Sequence, residues 1–252
     1  MRIGMVSTRF AGTDGVSLET AKVAEVLRRS GHDVAWFAGE LGDDFTPGRL
    51  HASAHFTDPA ELTRQTEYFG NTVRRPGLID EVRAAAGDIG NALRAFCDEL
   101  GVDVLMPQNA LAIPMQIPLA VAIGELAAEG MPVLAHHHDL AWERERFMET
   151  AIPDLLDAYF PPRGPGIHHL VINSLAQEQL ARRRGLVSAV LPNVMDFALG
   201  DPGPRDGERF REAAGLSKDQ VVLLQPTRVI PRKSIETSIE FAQHIDDGVI
   251  VI

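Results

Sequence analysis

Cysteine is almost absent from this sequence of 252 residues, and its only representative is Cys97. A single cysteine excludes any disulfide within the chain, which fits a reducing compartment and leads us to expect a cytoplasmic protein. Because Cys97 lies within NALRAFCDEL, a stretch with helical periodicity, we expect a buried, unreactive thiol there rather than a nucleophile.

Long apolar runs are also missing from the sequence. No stretch approaches the roughly 18 consecutive apolar residues that a membrane-spanning helix needs. The amino-terminal MRIGMVSTRF turns polar after its first few residues, so it lacks the apolar core of a signal peptide. The sequence therefore predicts neither a signal peptide nor a membrane span.

Positive charge is scarce as well, because 24 Lys and Arg face 35 Asp and Glu, for a net charge of -11. A protein that binds the phosphate backbone generally presents a basic face, so we expect no nucleic-acid partner. An anionic membrane surface is disfavoured for the same reason. Hydrophobic residues make up 45% of the chain, which is enough for a core of one to two domains and leaves oligomerisation open.

Short β-rich runs alternate with helical patterns along the sequence. This alternation predicts an α/β protein, in which right-handed βαβ crossovers build a Rossmann-like parallel sheet that is covered on both faces. The predicted strands are 2–7, 33–39, 103–107, 131–138, 168–173 and 188–193. The predicted helices are 16–31, 78–100, 111–129 and 174–184.

The segment 40–76 fits this alternation poorly, because it combines Gly, Pro and Asp with little periodicity. We predict a long excursion from the sheet, with a short strand near 51–56. Long loops in α/β domains often shape a substrate site, but a plain surface insertion explains the same composition equally well.

A domain boundary is predicted at 197–219, where Gly, Pro and charged residues accumulate without a strand pattern. A new strand–helix–strand pattern follows over 220–252. One βαβ unit cannot close a core alone. We therefore predict an amino-terminal Rossmann-like domain over 1–200. Residues 201–252 are predicted to be a linker and the start of an incomplete second domain of the same kind.

The first turn that could carry chemistry is STRFAGTDGVSLET, directly after the first predicted strand. Gly12 and Gly15 flank Asp14 there, and a helix follows. Glycines let the backbone approach a ligand, and a helix amino terminus favours anionic or hydroxyl-rich groups. The turn is not a GxGxxG motif, and Glu40 is a poor candidate for binding a ribose, so a dinucleotide cofactor is not indicated. A simple tight turn is an equal alternative.

The second turn is AHHHDLAWERERF, at the carboxyl end of a predicted strand, where ligands bind in open α/β sheets. Neighbouring side chains of a strand point to opposite sides, so three consecutive histidines cannot share one metal, and we predict no metal site. One histidine in the crevice could bind a sugar hydroxyl, with Asp139 orienting it or capping the next helix. Alternatively, His136 and His137 only pack in the protein and Asp139 is only a cap.

The third turn, QPTRVIPRKSIETSIEF, gathers Arg228, Arg232 and Lys233 after the predicted strand 220–224. Ser234 can cap the helix that follows. An anion at that helix amino terminus would meet Arg228, Lys233 and free backbone N–H groups. A diphosphate suits such a site, because fixed cations stabilise a departing nucleoside diphosphate. Surface Arg and Lys are usually only solvated, and this alternative is strongest for Arg232.

In their order and context, these turns resemble the retaining glycosyltransferases of family GT4, which have the GT-B architecture of two Rossmann-like domains. The resemblance extends over essentially the whole chain. AGTDGVSLET matches the family's Gly-rich loop, HHHDL its His–Asp pair, and LPNVMDF its approach to the interdomain linker. PTRVIPRKS matches the opening of its second domain, with PTR instead of GR and with Ser234 instead of Gly. The family's acidic E-x7-E motif and most of its nucleotide pocket have no counterpart in this sequence.

The resemblance implies a hexosyltransferase that uses a nucleoside-diphosphate sugar and a small-molecule or glycoside acceptor, retains anomeric configuration and needs neither metal nor other cofactor. Arg228 and Lys233 would neutralise the leaving diphosphate, against which the loop with Gly12 and Gly15 closes. His138 would contact the donor sugar near the reacting carbon.

PQNALAIPMQIPLAVAI and HHHDLAWERERF further resemble family members that glycosylate small polar acceptors, the mannosylglucosylglycerate synthase type. Acceptor contacts are implied for Asp14, Gln108, Asn109, Asp139 and Arg144, and Arg144 could pair with an acceptor carboxylate. For Arg144, an exposed and merely charged helix face is the alternative. The competing function is a non-catalytic sugar-binding domain, or a fragment that depends on a missing carboxyl-terminal half.

Overall fold

The chain forms two compact units, Met1–Val194 and Met195–Ile252. The structure is a computed structural model that describes residues 1–195, 204–227, 229–246 and 248–251. The domain boundary predicted between residues 200 and 201 lies outside the described residues and stays a prediction.

A seven-stranded sheet forms the centre of the first unit, with the order β3-β2-β1-β4-β5-β6-β7. All neighbouring strands are parallel. The parallel sheet confirms the predicted α/β class. The strands are β1 (Arg2–Ser7), β2 (Asp33–Ala38), β3 (Gly48–Leu50), β4 (Val104–Pro107), β5 (Val133–His137), β6 (Ile167–Val171) and β7 (Ser188–Val190).

Helices cover both faces of this sheet. The long α3 places buried apolar side chains three or four residues apart, at Leu78, Val82, Ala86, Ile89 and Leu93, and with α4 it builds the larger core. Helix α1 packs over a smaller core on β1 and β2. The helices are α1 (Gly15–Arg29), α2 (Pro59–Tyr68), α3 (Leu78–Leu100), α4 (Ile117–Ala128), α5 (Pro153–Tyr159) and α6 (Ser174–Arg184).

The excursion after β2 contains more regular structure than its composition predicts. The short strand β3 ends at Leu50, so the strand predicted near 51–56 is wrong, and Ala52–Ala54 is a 3-10 turn instead. A Cβ on Gly39 would lie 2.1 Å from the backbone nitrogen of His55, so only glycine lets this turn pack against the end of β2. Helix α2 was not predicted, although Asp58 caps it and a proline opens it.

The helix predicted over 111–129 begins later, at Ile117. Asn109 adopts the left-handed conformation with φ 60°, so the backbone turns away from a helix directly after β4. The chain then runs buried to Gln116, whose side chain accepts the Leu119 N–H at 3.1 Å and caps α4. Residues 108–116 therefore form a loop between β4 and α4.

The second unit contains the predicted strand–helix–strand motif. Strands β8 (Val221–Leu224) and β9 (Gly248–Val251) pair in parallel, and α8 (Ile235–Ala242) connects them. Helix α7 (Pro204–Ala213) lies inside the stretch that composition marks as a linker. That stretch therefore has regular structure of its own.

Cys97 and the apolar character of the helices were both subjects of the sequence predictions. Cys97 is buried, as predicted, and burial raises the pKa of its thiol to about 11. Among the helices of the described residues, none combines the length and the apolar character that a bilayer crossing requires.

Candidate functional site

The candidate site lies where the strand order of the sheet reverses. From β1 the chain moves outward through β2 to β3, then returns to the other side of β1 for β4 and continues through β5 to β7. In open parallel sheets, ligands bind beyond the carboxyl ends of the strands at such a switch point. The carboxyl ends of β1, β4 and β5 carry most of the residues predicted from the sequence.

The loop after β1 is open to a ligand on its glycine side. Gly12 has φ 66°, a conformation that strains other residues, and a Cβ placed on Gly12 or on Gly15 would meet no atom within 4 Å. Asp14 caps α1 by accepting the N–H groups of Val16 at 3.0 Å and of Ser17 at 3.2 Å. The Asp14 carboxylate therefore serves the helix, and its predicted acceptor contact stays a prediction.

Gln108 is fully buried and joins two histidines at the carboxyl end of β5. Its Oε1 lies 3.0 Å from His136 Nδ1 and 3.0 Å from His138 Nε2. Because an amide oxygen only accepts hydrogen bonds, both of these ring nitrogens must carry their proton. The Gln108 amide group donates toward the Met106 carbonyl at 3.5 Å, which agrees with this orientation. His138 is thereby held with Nδ1 as a free acceptor.

The His138 ring is neutral near pH 7. Burial lowers its pKa to about 3, and the nearby His136 lowers it further in the same direction. Asp139 and Asp14 act in the opposite direction but do not offset burial. A neutral imidazole with an unprotonated Nδ1 can accept a hydrogen bond from a sugar hydroxyl, as a protonated ring cannot.

Asn109 shapes the backbone beside this ring. Its Oδ1 accepts the N–H of His138 at 2.9 Å and that of Asp139 at 3.2 Å, and its own N–H donates to the His136 carbonyl at 2.9 Å. These bonds join the ends of β4 and β5. Gln108 and Asn109 thus lie beside the predicted histidine, and their described contacts position His138 rather than face a ligand.

Asp139 and Arg144 form an ion pair, with Arg144 Nη2 2.6 Å from Asp139 Oδ2. Asp139 does not cap a helix, which corrects one of its two predicted roles. A 3-10 turn, Ala141–Glu143, follows Leu140. The Glu143 carboxylate accepts the Leu140 N–H at 2.9 Å and so caps the start of this turn. Ala141–Glu143 and Glu145–Phe147 are two such turns, so the alternative given for Arg144, a charged helix face, is not found.

His137 lies on the opposite face of β5, as the alternation of a strand predicts. Its Nε2 is 2.9 Å from Nδ1 of His169 on β6, and both rings are buried. Burial lowers the pKa of His169 to about 4 and that of His137 well below its usual value.

The described residues contain no cluster of three His, Cys, Asp or Glu side chains that could hold a metal.

The buried pair of His137 and His169 predicts a loss of stability in mild acid. Between pH 6.5 and about 4, His169 takes up a proton in the unfolded chain but not in the folded one, so the free energy of unfolding falls as pH falls. We expect His169→Gln to reduce this slope by up to about 1.4 kcal/mol per pH unit. Urea unfolding at several pH values measures the slope, with the exposed His244→Gln as the control. Equal slopes in both variants would contradict the prediction.

Three residues at this edge of the sheet were not predicted. Arg9 Nη2 lies 3.3 Å from Asp14 Oδ2, and Glu40 Oε2 lies 3.3 Å from His55 Nε2. Arg9 also contributes to lowering the pKa of His55, after burial, so the two pairs are neighbours. A lone Arg in STRF and a His in a non-periodic segment carry no sequence signal, because only the fold brings them together.

The turn after β8 contains Lys233, whose side chain is half-buried and whose carbonyl accepts the Gln225 amide at 2.9 Å. Ser234 occupies the cap position of α8 but has φ 50° and makes no side-chain cap bond, which corrects its predicted role. Arg228 lies outside the described residues, so its role stays a prediction. Lys233 belongs to the second unit, whereas the predicted residues between Gly12 and Arg144 belong to the first.

Known proteins were compared with this chain by sequence and by structure. The chain resembles two curated mannosylglucosylglycerate synthases. It is 33% identical to that of Petrotoga mobilis and 31% identical to that of Thermotoga maritima, each over 247 residues and 95% of the chain. The chain spans 56% of the length of each of these relatives. No protein-family model matches the sequence.

Two solved structures were also found to be similar. The spinosyn rhamnosyltransferase SpnG with thymidine diphosphate matches with a TM-score of 0.49 and 14% identity, covering 100% of this chain and 65% of that one. MurG of Acinetobacter baumannii matches with a TM-score of 0.36 and 14% identity, covering 92% and 53%. The fold assignment rests on the sheet order described above.

Proposed function

We propose that this chain belongs to a GT4 glycosyltransferase of GT-B architecture. In this proposal, the enzyme transfers a hexose from a nucleoside-diphosphate sugar to a hydroxyl of a small polar acceptor, with retention of configuration. The observation that carries it is the similarity to the two mannosylglucosylglycerate synthases over 95% of the chain. It favours transfer over the alternative of a non-catalytic sugar-binding domain.

The leaving group is the nucleoside diphosphate, which departs with the electron pair of the bond to the sugar. Lys233, together with Arg228, neutralises this developing charge, which a fixed cation stabilises more in the transition state than in the ground state. The loop with Gly12 and Gly15 approaches the diphosphate through its backbone. Transfer needs no metal in this proposal, because the cationic side chains take its role.

His138 contacts the donor sugar. Its Nδ1 accepts a hydrogen bond from a hydroxyl of the transferred hexose, because Gln108 holds the proton on Nε2. Its low pKa keeps the ring neutral, so no positive charge opposes the cationic character that grows at the sugar carbon. Gln108 and Asn109 are positioning residues in this scheme, since each contacts His138 directly.

The acceptor carries a carboxylate if it corresponds to the glycerate in the names of the two relatives. A new bond forms between the acceptor hydroxyl oxygen and the sugar carbon, and the hydroxyl proton leaves with the diphosphate. Asp14, Asp139 and Arg144 are proposed to contact this acceptor. The cytoplasmic location and the oligomeric state stay open to experiment.

An assay of the complete protein tests this proposal. GDP-mannose and UDP-glucose are offered separately with glucosylglycerate, and mass spectrometry looks for a product that is heavier by one hexosyl residue. We expect a product with at least one donor, formed equally well in excess EDTA, and NMR of the new linkage should show the donor's anomeric configuration. Absence of a product with any nucleotide sugar, together with no nucleotide binding by calorimetry, would reject a glycosyltransferase.

A further inference from the structure

The position of Arg9 is set by the backbone at the carboxyl edge of the sheet. Beyond the end of β1, residues 8–10 run alongside the chain that follows β2. Gly39 donates to the Thr8 carbonyl at 3.1 Å, and Phe10 donates to the Glu40 carbonyl at 2.9 Å. Arg9 lies between these bonds, so its backbone is fixed one strand away from Gln108 and just before the Gly-rich loop.

The guanidinium of Arg9 is held in place but remains accessible. Its Cζ lies 5.5 Å from the centre of the Phe56 ring, and its Nη2 lies 3.3 Å from Asp14 Oδ2. About a third of the side chain, 32%, is exposed. Its Nε–H is buried and has no acceptor among the described residues. An unpaired buried donor of this kind costs folding free energy, which a functional site can tolerate.

Arg9 is bound less closely by its carboxylate partner than the other candidate cation of this edge, at 3.3 Å compared with 2.6 Å. Its partner Asp14 already accepts the N–H groups of Val16 and Ser17 and the Ser17 hydroxyl, the last at 2.7 Å. Arg144, in contrast, donates a hydrogen bond of 2.6 Å to Asp139. A ligand carboxylate meets a close ion pair at Arg144, whereas at Arg9 the longer contact with Asp14 and the unpaired Nε–H leave the guanidinium easier to engage.

Arg9 is also connected to the proposed sugar contact. Ser7, two residues before Arg9, donates to the Gln108 carbonyl at 3.3 Å, and the Gln108 side chain lies 3.0 Å from His138, so Arg9 and His138 share this edge of the sheet. A small acceptor anchored at Arg9 can therefore extend along the loop toward His138. The planar fork of arginine suits a carboxylate, which it can bind through two parallel hydrogen bonds.

We propose that Arg9 binds the carboxylate of the acceptor and determines that the enzyme uses an acidic glycoside. This inference rests on the proposed function. It assigns the carboxylate to Arg9 instead of Arg144. A guanidinium could also bind the diphosphate of the donor. Kinetics in which the acceptor and the donor are varied separately distinguish a bound carboxylate from a bound diphosphate.

The experiment compares two acceptors that differ at one group, glucosylglycerate and the neutral glucosylglycerol, with the complete protein and the nucleotide sugar that it accepts. We expect Arg9→Gln to lower kcat/KM for glucosylglycerate by about 10- to 100-fold, the effect of losing hydrogen bonds to a charged group. Transfer to glucosylglycerol and the KM for the donor should not change. Arg9→Lys keeps the charge but loses the planar fork, so its kcat/KM for glucosylglycerate should lie between that of the wild type and that of Arg9→Gln.

The control is the exposed Arg29→Gln, which should keep the preference for glucosylglycerate, and melting temperatures exclude misfolding. Arg144→Gln, at the other candidate cation, should also keep this preference, whatever its effect on overall transfer. Equal losses with both acceptors, a raised KM for the donor, or loss of the preference in Arg144→Gln instead would each overturn the inference. Calorimetry of glucosylglycerate binding without donor provides a second measurement. If wild-type protein binds it and Arg9→Gln does not, the carboxylate contact of Arg9 is supported. If transfer is nevertheless absent, the proposed function fails separately from that contact.

Discussion

Replacing Lys233 with alanine in the complete enzyme is expected to lower kcat by about 10²- to 10³-fold, the usual cost of removing one group that stabilises a developing anion. The side chain would otherwise meet the departing diphosphate, whose charge grows only as the bond to the sugar breaks. Steady-state kinetics with nucleotide sugar and acceptor measure the change. The KM for the donor should rise much less than kcat falls, because the contact strengthens in the transition state.

The fold should tolerate this replacement. Lys233 ends the 3-10 turn Pro231–Lys233. Its N–H donates to the Ile230 carbonyl and its carbonyl accepts from the Gln225 side-chain amide, so its described hydrogen bonds use its backbone and not its side chain. Lys218→Ala, which removes an exposed lysine from the same unit, is the matched control and should retain full activity. Unchanged turnover in Lys233→Ala would remove the basis for the diphosphate site.

Replacing Gln108 separates its role in stability from its role in positioning His138. In Gln108→Leu, the N–H groups of His136 and His138 lose their acceptor, so we expect a loss of about 1–3 kcal/mol in the free energy of unfolding. Transfer should fall by about 10- to 100-fold, because His138 is then free to place its proton on either nitrogen. Urea unfolding and steady-state kinetics measure the two effects.

Gln108→Glu supplies a readout that a purely structural role would not change. A carboxylate still accepts both hydrogen bonds but stabilises a positive charge on His138, so it raises the pKa of that ring from about 3 toward neutrality. As pH falls, the ring of the variant takes up a proton at Nδ1 and can no longer accept from a hydroxyl. We expect kcat/KM of Gln108→Glu to decline on acidification at a higher pH than in the wild type.

For Gln108→Leu, the decline of kcat/KM on acidification should not move to higher pH, since leucine adds no charge. Both variants are compared with wild type over a range in which all three remain folded by circular dichroism. If the pH profile of Gln108→Glu matches that of the wild type, the neutral His138 ring has no part in transfer, and the proposed role of Gln108 fails with it.

Local patterns predicted the regular elements where one periodicity governs the segment. Helices α3 and α6 have the predicted bounds, and each is closed by a glycine in the left-handed conformation, Gly101 and Gly185. The errors fall where tertiary contacts decide the backbone. The 3-10 turn at Ala52–Ala54 occupies the predicted strand because Gly39 lets His55 pack against the end of β2. Helix α4 starts late because Asn109 turns the chain toward β5.

At the candidate site, too, local patterns predicted some features and missed those that depend on contacts in space. Turn chemistry and strand alternation predicted that one histidine of HHHDL and the loop with Gly12 lie near the carboxyl ends of strands. The family resemblance implied that His138, Gln108 and Asn109 lie near the cleft. Neither predicted that Gln108 holds the proton of His138, since that depends on two strands being neighbours. Arg9 was not predicted at all. An arginine in a sequence is usually solvated, and only its partners in space distinguish it.

The α/β alternation, the positions of the turns after β1, β4 and β5, and the resemblance to a glycosyltransferase family follow from residues that are close along the chain, so they can be read without a structure. Which of those residues touch each other depends on how the strands assemble. Ring protonation, ion pairing and burial depend on groups from strands far apart in sequence, such as Gln108 and His138, whose contact exists only once the sheet has formed.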